Sequence, residues 1–173
     1  MLLWRKKLDP FTLYIHKTFG CNDCALQYAY QYFQRALFDR PFKGSAIFDI
    51  DDTIRNSNNG QLVSPYILLL AQLFKSHGIT IHLVTARPQS LINDLLTRNQ
   101  LLNLKFTFHE SIHYLPPGTD IGAFKAGMRK HFQPIVFSVG DQWTDITEFM
   151  PNIDESKAYW IQHPEYWAIK LIS

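Results

Sequence analysis

Between residues 45 and 161, short apolar runs alternate with longer segments of helical spacing, an order that few folds accommodate. Residues 45–50 read as a buried strand. Ser64-Pro65 supplies an N-cap and a first-turn proline, and Gly78 stands just past the far end, so 65–77 reads as a helix. Residues 78–85 form a second strand, Pro88 opens a helix to about Leu102, and 104–108 form a third strand. Pro116-Pro117-Gly118 marks a loop, after which Thr119 or Asp120 caps a helix to about His131. A fourth strand follows at 135–139, a short helix begins near Thr144, and 158–161 make a fifth strand. The expected fold is α/β, a five-stranded parallel sheet of Rossmann-like type with helices on both faces. Such sheets bind ligands at the carboxyl ends of their strands.

Ahead of this pattern, Ala25, Leu26, Ala29, Phe33, Ala36 and Leu37 recur at helical spacing over 22–39, with Asn22 or Asp23 as cap and Pro41 as stop. Residues 1–44 thus read as a helical appendage to a domain at 45–173. Tyr28, Tyr30, Tyr32 and Phe33 pack it against that domain or against another chain, which leaves a homo-oligomer open. In 173 residues, 46% hydrophobic and 18% charged content specify an ordered chain with a real core. A net charge of +2 gives no reason to expect a nucleic acid partner. The longest apolar stretch, 66–74, is interrupted by Gln72 and is too short to span a bilayer. The start, Met1 to Lys7, does not read as a signal peptide, and two cysteines make a reducing, cytoplasmic location the expectation.

The chemistry concentrates in Asp49-Ile50-Asp51-Asp52-Thr53, three carboxylates in four residues at the end of the first strand. Asp is depleted from strands, and clustered like charges cost free energy unless a cation or shared proton offsets them. Thr85 closes the second strand and is followed by Ala86-Arg87, Lys125 lies on the helix before the fourth strand, and that strand runs into Gly140-Asp141-Gln142-Trp143-Thr144-Asp145. Carboxylates, a hydroxyl and a lysine are the groups phosphoryl chemistry requires. Mg²⁺ takes one or two carboxylates plus phosphate oxygens, a carboxylate can act as nucleophile, and hydroxyl and ammonium groups offset developing charge.

In these segments the chain resembles the haloacid dehalogenase (HAD) superfamily of phosphatases. Residues 48–53 resemble its first motif, Leu83-Val84-Thr85 the second, Lys125 the third, and Gly140-Asp141 through Asp145 the fourth. The last resembles the acid-phosphatase branch (class III/B), whereas the first is also similar to the lipin-type phosphatidate phosphatases. The resemblance implies a Mg²⁺-dependent phosphomonoester phosphatase working through an aspartyl-phosphate. It implies Asp49 as nucleophile and Asp51 as acid and base, with the Asp51 backbone carbonyl reaching the metal. Thr85 and Lys125 would bind phosphate, with Arg87 and Arg55 as further substrate contacts. Asp141 would bind Mg²⁺, and Asp145 would be a second metal carboxylate or an orienter of Lys125. Asp52 receives no role.

The same residues admit other readings. An EF-hand counted from Asp49 would need Gly and Glu where Ile54 and Gly60 stand, so it fails. Asp141, Thr144 or Asp145 could each merely cap a helix. Cys21-Asn22-Asp23-Cys24 would need more ligands for zinc and a preceding strand for a redox motif, and reads as two ordinary cysteines at a helix start. His82, inside a strand, reads as structural. Only residues 54–64 separate the first motif from the next helix, room for a flap and no cap domain. An open site suits a phosphorylated small molecule or an exposed phosphoester on a larger one. A nucleotidase, a phosphatidate phosphatase and a phospho-accepting signalling module without turnover are the alternatives.

Overall fold

The computed structural model describes residues 13–38, 42–148 and 151–173. The expected appendage start at Met1 to Lys7, the helix end near Asp39 and the stop at Pro41 lie outside them. Twelve elements follow in order: β1 (Tyr14–Phe19), α1 (Asn22–Ala36), β2 (Gly44–Phe48), α2 (Pro65–Ser76), β3 (Ile79–Pro88), α3 (Leu91–Asn103), β4 (His109–Leu115), α4 (Ile121–His131), β5 (Ile135–Gly140), a single 3-10 turn (Trp143–Asp145), β6 (Ala158–Gln162) and β7 (Trp167–Lys170).

The strands form one sheet in the order β1-β6-β7-β5-β2-β3-β4. β4, β3, β2, β5 and β7 are joined by parallel pairings, whereas β6 pairs antiparallel with both β7 and β1. The fold is therefore mixed α/β, mostly parallel, with seven strands among the described residues where five parallel ones are expected. The run at 158–161 is a strand, but it is not the fifth parallel one; β7 holds that place. Only residues 163–166 connect β6 to β7, closed by the His163 amide donating to the Tyr166 carbonyl at 2.9 Å. So short a connection makes a hairpin, because a parallel return needs a crossover of a dozen residues or more.

Two further expectations shift. The apolar run at 104–108 is not a strand: Leu104 caps α3, Lys105 adopts φ 60°, and Phe106 plugs the core fully buried. The strand begins at His109 instead. Nor does Pro88 open a helix; it closes β3 opposite Leu115, and Ser90 caps α3 by accepting from the Asn93 amide at 3.0 Å. The remaining caps fall where the residue types place them, Ser64 on α2 and Asp120 on α4, and Gly78 takes φ 77° just past α2.

The core lies on one face of the sheet. Ala25, Leu26, Ala29 and Phe33 of α1 are fully buried there beside Ile67, Leu70, Ala71 and Phe74 of α2. Phe33 meets Phe74 edge-on at 4.9 Å and Phe137 at 5.4 Å, while Tyr28 and Tyr32 lie against Trp160. The aromatic residues of the expected appendage thus pack on this same sheet, and β1 joins its edge. Burying Leu26 and Phe33 alone stabilises the fold by roughly 3–6 kcal/mol before conformational entropy is counted. Ile47 and Val84, pointing the other way from Phe48 and Leu83, meet Phe124 of α4 on the opposite face. α3 is held more lightly: Thr97 and Leu101 are buried, whereas Leu91 and Ile92 are each 77% exposed. No helix of the described residues is long and apolar enough to cross a membrane.

Candidate functional site

The carboxyl ends of β2 and β5 adjoin at the centre of the sheet. Phe48 pairs with Val139, and the Asp49 amide donates to the Val139 carbonyl at 3.0 Å. This register sets Asp49 beside the start of the 140–145 turn. Oxygens of Asp49, Asp141 and Asp145, all three buried, lie within 4.8 Å of one another, a group that could hold a metal ion. Lys125, 3% exposed on α4, reaches into it from the opposite face: its ammonium donates to Asp145 and lies 3.5 Å from Asp49 Oδ1.

The turn that carries Asp141 and Asp145 is fixed from several sides. Asp145 Oδ2 accepts from the Gln142 amide at 3.0 Å, and the Gln142 side chain donates to Asp141 Oδ2 at 3.1 Å. Ser138 Oγ donates to the Asp145 carbonyl and buried Arg129 to the Thr144 carbonyl, each at 2.6 Å. A Cβ on Gly140 would fall on the Asp145 side chain, so any larger residue here would force that carboxylate out of its place. The Asp145 carboxylate therefore serves both the Lys125 ammonium and its own turn.

Three carboxylates against one ammonium leave excess negative charge out of water. Burial raises Asp49 well above the ordinary carboxylate range, and Asp145 raises it further, against the pull of Lys125. Asp141 is also raised, by burial first and by Asp145. Burial opposes the Lys125 charge, but Asp49 and Asp145 outweigh it and hold the ammonium above its usual range. Such a cluster takes up either protons or a cation. An all-oxygen donor set of carboxylates suits a hard divalent ion, so the residues fit one.

Asp51 stands apart from this group. Arg87 Nε donates to Asp51 Oδ2 at 2.8 Å and Nη2 to Oδ1 at 2.7 Å, with Arg55 3.8 Å away. The remaining Arg87 nitrogen, Nη1, donates to Thr97 Oγ1 and Gln100 Oε1 on α3. Its hydrogen bonds to Asp51 raise the Arg87 guanidinium above its usual range. Arg87, expected as a phosphate contact, is paired with Asp51 in the structure. Thr85, expected to close the second strand, is buried within β3, which runs three residues further to Pro88, and it accepts from the Arg87 amide at 3.1 Å.

Asp52 proves to be a turn residue. It adopts φ 58°, and its carboxylate accepts from the Ser57 amide and hydroxyl at 2.8–2.9 Å. This closes a flap over 54–64 in which the Val63 amide donates to the Ile54 carbonyl. Residues not singled out in the sequence include buried Thr53, whose hydroxyl lies 3.5 Å from Asp49 Oδ2, and Thr97, Gln100, Arg129 and Gln142. Thr53 and Gln142 stand inside the two acidic segments that mark the candidate site, whereas Thr97, Gln100 and Arg129 are single polar residues on helices with no local signal.

Fold and site define a mixed α/β protein with a buried carboxylate–lysine centre at the carboxyl edge of its sheet. The sequence matches no protein-family model and no curated protein.

Proposed function

We propose that the chain is a Mg²⁺-dependent phosphomonoester phosphatase of HAD type. The observation that carries this reading is the placement of Asp49 at a strand end, clustered with the Asp141 and Asp145 carboxylates and the Lys125 ammonium. Asp49 would attack phosphorus in line with the ester oxygen, forming a P–O bond to its own carboxylate as the ester bond breaks. Asp51, beside it but outside the buried cluster, would give its proton to the departing oxygen. It would then take a proton from the water that attacks the aspartyl-phosphate, releasing inorganic phosphate and restoring Asp49. Lys125 and Thr85 would hold the non-bridging oxygens.

Asp49, Asp141 and Asp145, with the Asp51 backbone carbonyl, are the groups proposed to hold Mg²⁺. The bound ion would offset the negative charge shared by the carboxylates and the phosphoryl group. Because Arg87 grips both oxygens of Asp51, its hold has to relax before Asp51 can carry a proton. Substrate phosphate, attracting the same guanidinium, would provide the exchange.

Hydrolysis of p-nitrophenyl phosphate with and without Mg²⁺ tests the proposal. Asp49→Asn should retain the wild-type melting behaviour and lose at least about a thousandfold in rate. Mg²⁺-dependent turnover persisting in that variant would overturn the nucleophile assignment. Repeated turnover by the wild type also separates an enzyme from a module that is phosphorylated once.

One observation favours the phosphatidate alternative. α3 begins just past the carboxyl end of β3 and exposes Leu91, Ile92, Leu95 and Leu96, an apolar patch on its surface. A panel of phosphatidate micelles, nucleotides and sugar phosphates decides the substrate class.

A further inference from the structure

The Cys21-Asn22-Asp23-Cys24 segment lacks a preceding strand when read from sequence, but the fold provides one. β1 ends at Phe19, Gly20 turns the chain, and Cys21 is the N-cap of α1, bonded to Cys24 one turn on. The two residues enclosed by this bridge do not face solvent idly. Asn22 holds the chain end in a reciprocal pair: its side-chain nitrogen donates to the Ile172 carbonyl at 3.1 Å, and its oxygen accepts from the Ile172 amide at 2.7 Å. Asp23 accepts from Ser64 Oγ at 2.5 Å, the N-cap that ends the flap.

The Asn22 connection leads into the candidate site in three steps. Leu171, next to Ile172, donates its amide to the Gly140 carbonyl at 2.8 Å. Ser173, on the other side, donates its hydroxyl to the Asp141 carbonyl at 2.8 Å and accepts from the Gln142 side chain at 3.1 Å. Residues 171–173 therefore lie as a strut between the Cys21–Cys24 turn and the turn carrying Asp141 and Asp145.

We propose that Cys21–Cys24 is a redox-active disulfide whose state sets how firmly this strut braces the carboxylate turn; its effect on catalysis rests on the phosphatase reading above. Cys24 is exposed and Cys21 half-buried, so an incoming thiolate of a dithiol reductant meets the Cys24 sulfur first. Its sulfur bonds to Cys24 Sγ while the Cys21–Cys24 bond breaks, and the electron pair leaves on Cys21 as thiolate. That thiolate sits at the helix start, where the Cys24 amide already points at Cys21 Sγ from 3.1 Å, the environment that favours thiolate. The second thiol of the reductant then attacks the mixed disulfide and releases Cys24. Two electrons and two protons pass to the protein, and the reductant becomes a disulfide. With the bridge open, Asn22 and Asp23 lose the covalent clamp on either side of them, and buried Leu171 keeps its packing while the Asn22 brace on Ile172 loosens.

The test uses the full wild-type chain equilibrated in graded ratios of reduced to oxidised dithiothreitol. Acid quench and alkylation count free thiols by mass spectrometry, and hydrogen exchange follows the amides of Leu171 and Ile172. The expected result is one two-electron transition, across which those amides exchange about five- to tenfold faster in the reduced form. The Mg²⁺ concentration giving half-maximal hydrolysis should rise with it. Asn22→Ala, with the bridge intact, should show the fast exchange already and no further redox response.

A bridge that stays closed in excess dithiothreitol without unfolding overturns the site. Reduction with unchanged exchange overturns the coupling, and a redox response persisting in Asn22→Ala overturns the route through Asn22. Exchange that responds as expected in a chain with no phosphatase activity in either state would sink the phosphatase reading alone.

Discussion

Arg87 grips both carboxylate oxygens of Asp51, at 2.8 and 2.7 Å, and is itself held from behind by Thr97 and Gln100. The guanidinium thus spans the acidic segment after β2 and a helix that otherwise touches the fold lightly. Its planar fork is what makes both contacts available to one side chain.

Under the phosphatase proposal, replacing Arg87 with Ala should therefore act on the step assigned to Asp51. We expect kcat to fall with KM little changed, and stability to drop by about 1–2 kcal/mol, because the pair is only partly buried. Steady-state kinetics with urea denaturation check this. A raised KM at unchanged kcat would instead make Arg87 a direct substrate contact.

Divalent metal should stabilise the fold through the three buried carboxylates. At a free Mg²⁺ concentration a hundredfold above its dissociation constant, the gain is about 2.7 kcal/mol, seen as a higher melting temperature that EDTA reverses. Asp141→Asn should remove most of that response. The metal-free variant should melt no lower than the wild type, since a raised carboxyl in a crowded acidic group is relieved by losing its charge. An unchanged response to Mg²⁺ in the variant would exclude Asp141 as a ligand.

Gly140→Ala places a methyl group on the Asp145 side chain, which cannot retreat because Lys125 and the Gln142 amide hold it. The expected cost is about 1–3 kcal/mol in a denaturant melt, with loss of the Mg²⁺-dependent shift. Wild-type stability and metal response in this variant would show that the turn relaxes freely.

His82 links pH to stability. It stacks on Phe132 at a centroid distance of 3.7 Å, and its Nδ1 lies 2.6 Å from Ser111 Oγ, itself 2.7 Å from His113 Nε2. Burial, and then His113, lower its pKa from 6.5 to about 4, although nearby Glu110 pulls the other way. Between those values the unfolded chain binds a proton that the folded one refuses, so stability present above pH 6.5 is lost as pH falls toward 4. The loss is at most about 3 kcal/mol. Urea melts of wild type and His82→Asn at neutral pH and near pH 4.5 isolate it from the opposing contribution of Asp49, whose raised pKa favours folding as pH falls. The gap between the two proteins should change across this range; a constant gap would refute the assignment.

Much of the candidate site was legible because carboxylates clustered at strand ends mark it at Asp49 and Asp141, with Asp145 in the turn that follows. Lys125, one of several basic residues on its helix, was marked only by the resemblance, and the structure brings all four together. Arg87 was legible as important but not in its engagement, since its partners Thr97 and Gln100 come from a helix ten or more residues further on. β1 escaped because an exposed edge strand containing His16 and Lys17 shows no apolar alternation. β7 escaped because its four residues are all buried and too few to show a period.

By itself, the sequence determined the α/β alternation, most of the caps and the identity of the acidic centre. These are local properties: the period of apolar residues, the hydrogen-bonding habit of Ser, Pro and Gly, and the cost of clustered carboxylates. Only the tertiary structure decided that β7 takes the place beside β5, that α1 belongs to the core, and that Asn22 braces residues 171–173 against the carboxylate turn. Those outcomes depend on contacts between segments up to 150 residues apart. No periodicity encodes such contacts; they arise where buried surfaces and unpaired polar groups find partners as the chain closes on itself.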